Sequence, residues 1–588
     1  MNIILKSQVD EIISEFDISG HSEPKNFEFF CNFCVTSKHY FGRFNPIDVT
    51  TNEDDASIDG VSIVIDGDLI TTIDDAIALF NTHKTNLSVD IVMSQVKSGE
   101  KFEKDDIANF KIGIDDFLTL SPKLPNGKLN TESIEIIKVI FSNLKKVRNR
   151  RPNIHVYYCT SGTYKEEREI KACFTLIEET LKDLEYFNEI TVTPLDRSKL
   201  LKLYTSLTQK TEAKLKLIDY IPLPEMPSVP QAYIATVNAH EYVTALLIDD
   251  EENIRQSVFE ENVRSFLGED NDVNKEIAET LKSDEKRNLF SVLNNGVTIV
   301  APELTLIANT KEITLTNYQI INGCQTSNTL YENREKLTSS VNIIIKFIES
   351  PNNDISSDII SATNSQSDIS KEAFLGLRNK AKLVQKFFEA KNKNHNADNQ
   401  IYFERRLCEF KGQPIQATRI FDVKDTSRCY AAMFLNTPHN SARYVKSIFT
   451  QSKDQLFKSD DHESYYYAAC LALYKYQTLI NGRKISAHNY IKLRWHVIYV
   501  YKWLATNDMN IPMPNSNKAE KTAAKIIKTL VDDNKSYIKI FDNCQKIISS
   551  INEPTSDELK RGKYTSQLME ATSKFIAQEK AKQSKVTN

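Results

Sequence analysis

Two strand-like stretches organise the N-terminal part of the chain. Ser57–Val64 reads SIDGVSIV, and Val89–Lys97 reads VDIVMSQVK. Side chains two apart on a strand project from the same face, so Gln95 and Lys97 point the same way. If the two stretches are neighbours in a sheet, Asp59 comes close to both. A carboxylate, an amide oxygen and an ammonium group at one sheet edge are suited to hold a divalent cation and a phosphodiester.

The pattern around these stretches predicts a mixed α/β layer. Helical periodicity over Pro24–Val35 places four apolar residues on one face and Glu28 on another. Asp66-Gly67 is typical of a tight hairpin turn. Further helices are expected over Phe102–Leu118 and from about Thr131 to Val147, followed by a strand.

The cysteines and the charge limit the class of protein. Nine cysteines, an odd number, are spread over 588 residues, which favours reduced thiols over a disulfide framework. Cys31 and Cys34 form one C-x-x-C pair on an apolar helix face, which favours core packing over zinc. The formal net charge of −5 restricts nucleic-acid binding to local basic patches. No signal peptide or membrane span is recognised, so a cytoplasmic protein without a membrane partner is expected.

A chain of this length is expected to form several domains. Lys165–Leu217 has the composition of a charged helical connector, and four prolines between Ile221 and Gln231 suggest a linker. The predicted domains are 1–165, a connector at 166–235, a central α/β domain at 236–450 and a helical region at 451–588. The basic run Lys145–Arg151 is read as a helix C-terminus, with phosphate contact as the alternative.

The central part contains four stretches in which Asn, Gln, Gly and Thr stand where a strand ends or a helix begins. Exposed backbone amides at such turns bind anions, so a phosphate, a nucleotide or a nucleic-acid backbone is one interpretation. Ordinary turn chemistry and helix capping is the other. The candidate binding residues are Asn262, Arg264, Asn294, Asn295, Gly296, Asn322, Gly323, Gln325, Thr326, Asn364 and Gln366.

These central stretches resemble those of the abortive infection phage resistance family, known as AIPR. The resemblance covers about 200 residues, in which Phe259–Arg264, Asn294–Ile299, Ile320–Thr326, Ala362–Gln366 and Tyr402–Arg406 occur in the family's order. It implies a part in bacterial defence against phage, with a phage-derived trigger as an expected partner.

The first 165 residues resemble the PD-(D/E)XK nuclease superfamily in its Mrr-like restriction endonuclease variety. The motif there is Asp-Gly on one strand and Gln-x-Lys on the next, matched by Asp59-Gly60 and Gln95-Val96-Lys97. Gln95 departs from the commoner acidic residue. The resemblance implies a mixed sheet flanked by helices, and Mg²⁺ or Mn²⁺ held by Asp59, Gln95 and the Val96 carbonyl. Lys97 would be catalytic, and Glu28 would complete the site.

Taken together, the resemblances predict a multidomain α/β protein that acts as a metal-dependent endonuclease in anti-phage defence, controlled by its AIPR part. DNA is the expected substrate, with RNA as the alternative, and a homodimer would cut both strands of a duplex. The competing hypothesis is a non-catalytic sensor whose nuclease-like domain is degenerate. Gln95 is the residue that favours this second interpretation.

Overall fold

The computed structural model divides the chain into two compact units. Unit 1 comprises 1–207, 378–405 and 413–588, and unit 2 comprises 208–377 and 406–412. The structure describes residues 1–52, 56–81, 85–208, 211–227, 229–249, 252, 254–259, 272–350, 359, 375–376, 378–405, 409–410, 413–442, 448–449, 455–481, 493–532, 534–551 and 554–586.

A five-stranded mixed sheet forms the N-terminal part of unit 1. Its strands are β1 (Gly60–Ile65), β2 (Asp68–Leu69), β3 (Val89–Lys97), β4 (Asn153–Thr160) and β5 (Ile190–Leu195). Their order is β2-β1-β3-β4-β5. β1 pairs antiparallel with both β2 and β3, whereas β3, β4 and β5 are parallel. The predicted neighbours β1 and β3, and the hairpin at Asp66-Gly67, are therefore confirmed.

Helices cover both faces of this sheet. They are α1 (Ile3–Glu15), α2 (Glu23–Ser37), α3 (Ile73–Phe80), α4 (Lys104–Leu118), α5 (Lys128–Ser142), α6 (Arg168–Asp183) and α7 (Arg197–Thr208). Ile91 and Met93 pack into the core formed with α3 to α6. Val92 and Val96 pack into the other core, with α1, α2 and α7. Alternate residues of β3 thus serve opposite cores, which is why this strand is apolar on both faces.

Three local predictions need correction. The connector predicted as helical over 165–217 contains β5 and a strand at Glu212–Lys216, so that prediction is wrong there. The second helix ends at Ser142, not Val147. The basic run then lies in short 3-10 turns with a left-handed Asn149, and not at a helix C-terminus. In contrast, Cys31 and Cys34 are buried in the apolar core, as expected.

The C-terminal part of unit 1 is mainly helical, as predicted. Its helices are Asn379–Asn392, Val423–Met433, Pro438–Ser441, Glu463–Asn481, Arg494–Thr506, Ala519–Val531, Ser536–Ser549, Ser556–Leu559 and Gly562–Val586. Two short strands, Tyr402–Phe403 and Ile420–Phe421, pair in parallel. Tyr465, Tyr466 and Tyr467 are fully buried, so they build the helix core. Within the described ranges, no helix is long and apolar enough to cross a membrane.

Ion pairs join the sheet and the helical part within unit 1. Arg43 donates two hydrogen bonds to the Glu404 carboxylate, at 2.9 and 3.0 Å. Lys424 Nζ lies 3.5 Å from Asp68 Oδ1, and Lys560 pairs with Asp74. Because the Glu404 side chain is only 1% exposed, the charge of its carboxylate depends on the Arg43 guanidinium for compensation.

Unit 2 contains two sheets. Its strands are β6 (Glu212–Lys216), β7 (Asp219–Pro222), β8 (Ala232–Asn238), β9 (Val297–Ala301), β10 (Glu303–Ile307), β11 (Glu312–Thr316), β12 (Gln319–Asn322) and β13 (Asn342–Glu349), in the orders β10-β11-β6 and β12-β9-β13-β8-β7. Its helices are α8 (Ala239–Tyr242), α9 (Asp272–Lys282), α10 (Asp284–Arg287), α11 (Phe290–Leu293) and α12 (Cys324–Glu332). The proline-rich segment joins β7 to β8, which pair antiparallel.

Replacing Arg43 with Ala removes the guanidinium from a buried carboxylate. We expect the free energy of unfolding to fall by about 2 kcal/mol, which is less than the roughly 3–5 kcal/mol of a fully buried pair because Arg43 itself is partly exposed. Urea unfolding followed by tryptophan fluorescence measures this loss. Lys171→Ala is the control, because Lys171 and Glu166 lie 3.9 Å apart and are both mostly exposed. Equal stability of the two variants would contradict a stabilising role for the Arg43–Glu404 pair.

Candidate active site

Asp59 and Gln95 lie side by side at the edge where β1 begins and β3 ends. The register places Gly60 opposite Ser94, and the Asp59 N–H donates to the Ser94 carbonyl at 2.8 Å. Asp59 Oδ2 accepts a hydrogen bond from the Val96 N–H at 2.6 Å and another from the Gln95 amide. Both side chains are buried, with exposed fractions of 6% and 1%. The backbone of β3 therefore holds the carboxylate in place.

Gly60 is required beside Asp59 because the space for a side chain is already filled. A Cβ at Gly60 would stand 2.4 Å from Asn32 Oδ1 and 2.5 Å from Ser94 Oγ. Asn32 Oδ1 accepts a hydrogen bond from Ser94 Oγ at 2.5 Å, and its Nδ2 donates to the Asp59 carbonyl at 2.9 Å. Helix α2 thus fixes the backbone of Asp59 from the face opposite its carboxylate.

Helix α4 positions the loop that leads into Asp59. Ala56 and Ser57 both have left-handed backbones, with φ of 50° and 64°. The Ala56 carbonyl rests on Gly113 of α4, where a Cβ would lie 2.0 Å from the carbonyl oxygen. Two consecutive residues in this region are costly outside glycine, so the close packing against α4 sustains the turn.

Lys97 belongs to the same strand end but is more open to solvent. Its Nζ lies 3.7 Å from Asp106 Oδ1 in the first turn of α4, and both side chains are 36% exposed. Because residues alternate along β3, Lys97 and Gln95 project from one face. The partly exposed ammonium group thus lies at the same end and on the same face of β3 as the buried Gln95 side chain.

One buried acceptor of the site has no hydrogen-bond partner among the residues that the structure describes. It is Gln95 Oε1, the oxygen of the amide whose nitrogen donates to Asp59. Leaving a buried acceptor unsatisfied is unfavourable, and an oxygen-binding cation beside it would remove that cost. A carboxylate and an amide oxygen are ligands that Mg²⁺ prefers. The residues present therefore fit a divalent ion, while the predicted use of the Val96 carbonyl stays a prediction.

Tyr158 and Asp106 belong to this site but escaped sequence reasoning. Tyr158 stands opposite Gln95 in the β3–β4 register. Burial, followed by the negative charges of Asp106 and Asp59, raises the pKa of the Tyr158 hydroxyl, which keeps it protonated. Only the strand register brings Tyr158 here. Asp106 could have been predicted, because the sequence has acidic residues at the start of a helix directly after the strand that ends in Gln-x-Lys.

Glu28 is placed differently from the other predicted site residues. It lies on α2, which packs against the opposite face of β3. Its carboxylate bonds to Lys25 Nζ at 2.6 Å, and Lys25 also donates to the Thr51 carbonyl. The Thr51 N–H in turn donates to the Asp59 carbonyl at 3.0 Å. Glu28 is thus linked to the backbone of Asp59, and its role at the metal stays a prediction.

In unit 2 the structure brings two predicted stretches together. Gly296 and Gly323 have φ of +76° and +96°, and a Cβ on Gly323 would lie 3.1 Å from the Gly296 carbonyl oxygen. Gly323 is the N-cap of α12, without a side-chain cap. Asn322 stands opposite Thr298 in the β12–β9 pair. The Asn-Gly elements therefore form one compact turn region.

The side chains of that region differ in their environment. Gln325 is buried and accepts a hydrogen bond from Asn274 at 2.9 Å, and Thr326 is buried. Asn294 donates to the Phe290 carbonyl at 3.1 Å, while Asn295 and Asn322 are exposed. The remaining candidates, Asn262, Arg264, Asn364 and Gln366, lie outside the described residues. The Asn294 bond is local, whereas the Gln325 bond joins α12 to α9, and ligand binding by these residues stays a prediction.

The chain thus combines a helix-flanked mixed sheet with a second α/β unit and a helical C-terminal part. The family model described as AIPR protein matches residues 259–561, more than half of the 588-residue chain. The chain belongs to the AIPR family. No curated protein and no solved structure matches it. The five-stranded sheet lies entirely before the matched residues.

Replacing Gly60 with Ala is expected to disturb both stability and the Asp59 backbone. The added methyl group would collide with Asn32 and Ser94, which costs about 1–3 kcal/mol for overpacking in a buried site. Thermal unfolding measures the effect. Gly99→Ala is the matched control, because a Cβ there meets nothing within 4 Å. If Gly60→Ala were as stable as Gly99→Ala, the described packing around Asp59 would be wrong.

Proposed function

We propose that this protein is a metal-dependent endonuclease that acts on DNA in anti-phage defence. The observation that carries the proposal is the placement of Asp59, Gln95 and Lys97 at one edge of the sheet. Their order and strand positions match the Asp-Gly and Gln-x-Lys motif of Mrr-like nucleases. The buried Gln95 oxygen supports a cation site at this edge. AIPR membership supports the defence role, since the family is named for abortive infection and phage resistance.

In this proposal each residue has a defined task. Asp59, Gln95 and the Val96 carbonyl would hold Mg²⁺ or Mn²⁺, and the ion would supply an activated water and charge neutralisation at the phosphate. Lys97, 3.7 Å from Asp106 Oδ1, turns its ammonium group to the phosphate oxygens and stabilises the charge that develops there. Asp106 keeps Lys97 at the mouth of the site until substrate arrives.

Control of this activity is assigned to the AIPR part. A nuclease that cuts DNA constitutively would damage its own cell, so activity has to depend on a signal of infection. The Asn-Gly turns of unit 2 supply backbone amides of the kind that bind anions. We therefore assign recognition of a phage-derived trigger to unit 2 and cleavage to the sheet of unit 1.

The alternative function is a sensor without catalytic activity. It is favoured by one observation: an amide, Gln95, stands where the commoner nuclease motif has a carboxylate. The amide donates to Asp59 instead of adding a second negative charge. A site with fewer carboxylates attracts a divalent cation more weakly. A degenerate site that no longer needs a metal ion would tolerate this loss.

Cleavage assays with matched variants test the nuclease. Plasmid, linear DNA and RNA are incubated with Mg²⁺, Mn²⁺ or EDTA, and products are resolved by electrophoresis. We expect DNA cleavage only with metal, and a loss of at least about 100-fold in Asp59→Asn and in Lys97→Ala. Lys104→Ala is the control, because Lys104 is an exposed lysine of α4 that lies 3.8 Å from Glu169.

Manganese binding to the same proteins separates the alternatives. Asp59→Asn should lose the bound ion, whereas Lys104→Ala should keep it and cleave normally. Full activity in Lys97→Ala would remove the lysine from the mechanism. A wild-type protein that neither binds manganese nor cleaves any substrate would instead support the sensor.

A further inference from the structure

We propose that unit 1 contains a second metal site, in which His39, Asp90 and His155 bind a Zn²⁺ ion. The three side chains come from the turn after α2, from β3 and from β4. One ligand atom from each lies within 4.8 Å of the others. Two imidazole nitrogens and a carboxylate oxygen are a ligand set typical of zinc, with water in the fourth position. The proposal does not depend on the nuclease activity.

The three groups already contact one another. His155 Nε2 lies 3.2 Å from Asp90 Oδ1. The rings of His39 and His155 are stacked, with centroids 4.2 Å apart and planes inclined by 27°. Ligands of one zinc ion at bond lengths of about 2.0–2.2 Å lie within roughly 3–4 Å of each other, so binding needs only a small contraction.

Outer groups fix the orientation of every proposed ligand. The Tyr157 hydroxyl lies 2.9 Å from His39 Nε2, and the Thr191 hydroxyl lies 2.9 Å from His155 Nδ1. Asn153 donates to Asp90 Oδ1 at 3.0 Å. Metal-binding histidines regularly use their second nitrogen in this manner, which sets the tautomer and the ring direction. Three such hydrogen bonds to outer groups are not expected where two histidines and an aspartate meet by chance.

The zinc site is remote from the candidate active site. Asp90 lies five positions before Gln95 on β3, which is about 17 Å along an extended strand. His155 lies two residues before Tyr157 on β4, so the two side chains project from the same face. Tyr157 packs on the α2 face of the sheet, away from the face with α4. An ion here would tie the end of α2 to β3 and β4. Zinc binding would therefore stabilise the helix that carries Asn32.

Zinc binding by the full-length, untagged protein tests the proposal. Chelator-treated protein is titrated with Zn²⁺ against a chromogenic competitor, in excess Mg²⁺ to occupy oxygen-rich sites. We expect one ion per chain, a dissociation constant below about 1 µM, and a rise in melting temperature of about 5 °C. Cobalt absorption spectra report the ligand type.

Two variants and one control locate the ion. Asp90→Asn is isosteric, and His155→Gln keeps a polar side chain, so both are expected to fold and to lose at least about tenfold in affinity. His395→Gln is the control, because His395 is a partly exposed histidine of the same unit that bonds to Tyr467. It should bind zinc as the wild type does.

Three results would overturn the site. These are no saturable zinc binding by the wild type, unchanged affinity in both Asp90→Asn and His155→Gln, or a sulfur charge-transfer band with cobalt. The last would place the ion at the buried Cys31, Cys34 and Cys159 instead. A protein that cleaves DNA but does not bind zinc would contradict only the zinc site. A protein that binds zinc but does not cleave DNA would contradict only the proposed nuclease.

Discussion

The antiparallel register of β1 and β3 is the constraint on which the described site depends. It sets Gly60 opposite Ser94 and therefore Asp59 beside Gln95. A slip of one residue would turn each side chain to the other face, because the period of a strand is two. Asp59 would then face α2, and Gly60 would lose the space that Asn32 and Ser94 leave for it. The register is secured by packing on both faces, since alternate residues of β3 enter separate cores.

That register also determines the electrostatics of the site. A buried carboxylate requires donors, and Asp59 receives the Val96 N–H and the Gln95 amide. Both donors belong to β3, so this strand fixes the orientation of the carboxylate. Lys97 lies two residues beyond Gln95 and reaches Asp106 at 3.7 Å. The Asp59 carboxylate is thus held at the strand end where Lys97 also lies.

Sequence periodicity predicted the elements whose signals are local. Helix α2, the hairpin at Asp66-Gly67 and the strands β1, β3 and β4 follow from spacing and turn chemistry. β5 was missed because Ile190–Leu195 is short and carries Pro194, which argues against a strand. Asp59, Gln95 and Lys97 were predicted as site residues because a motif links them. Tyr158, Asp106 and the His39–Asp90–His155 cluster depend on pairing between distant segments, and one sequence does not specify that pairing.

The family match and the sheet, although separate in sequence, are physically joined within unit 1. Glu404, Lys424 and Lys560 all lie in the matched residues 259–561. Their partners are Arg43, after α2, and Asp68 and Asp74, on β2 and α3. β2 pairs directly with β1, the strand that Asp59 precedes. A movement of these matched segments would therefore change contacts with the β1–β2 hairpin, which begins directly after Asp59. Because the Glu404 side chain is only 1% exposed, such a movement would have to keep its charge compensated.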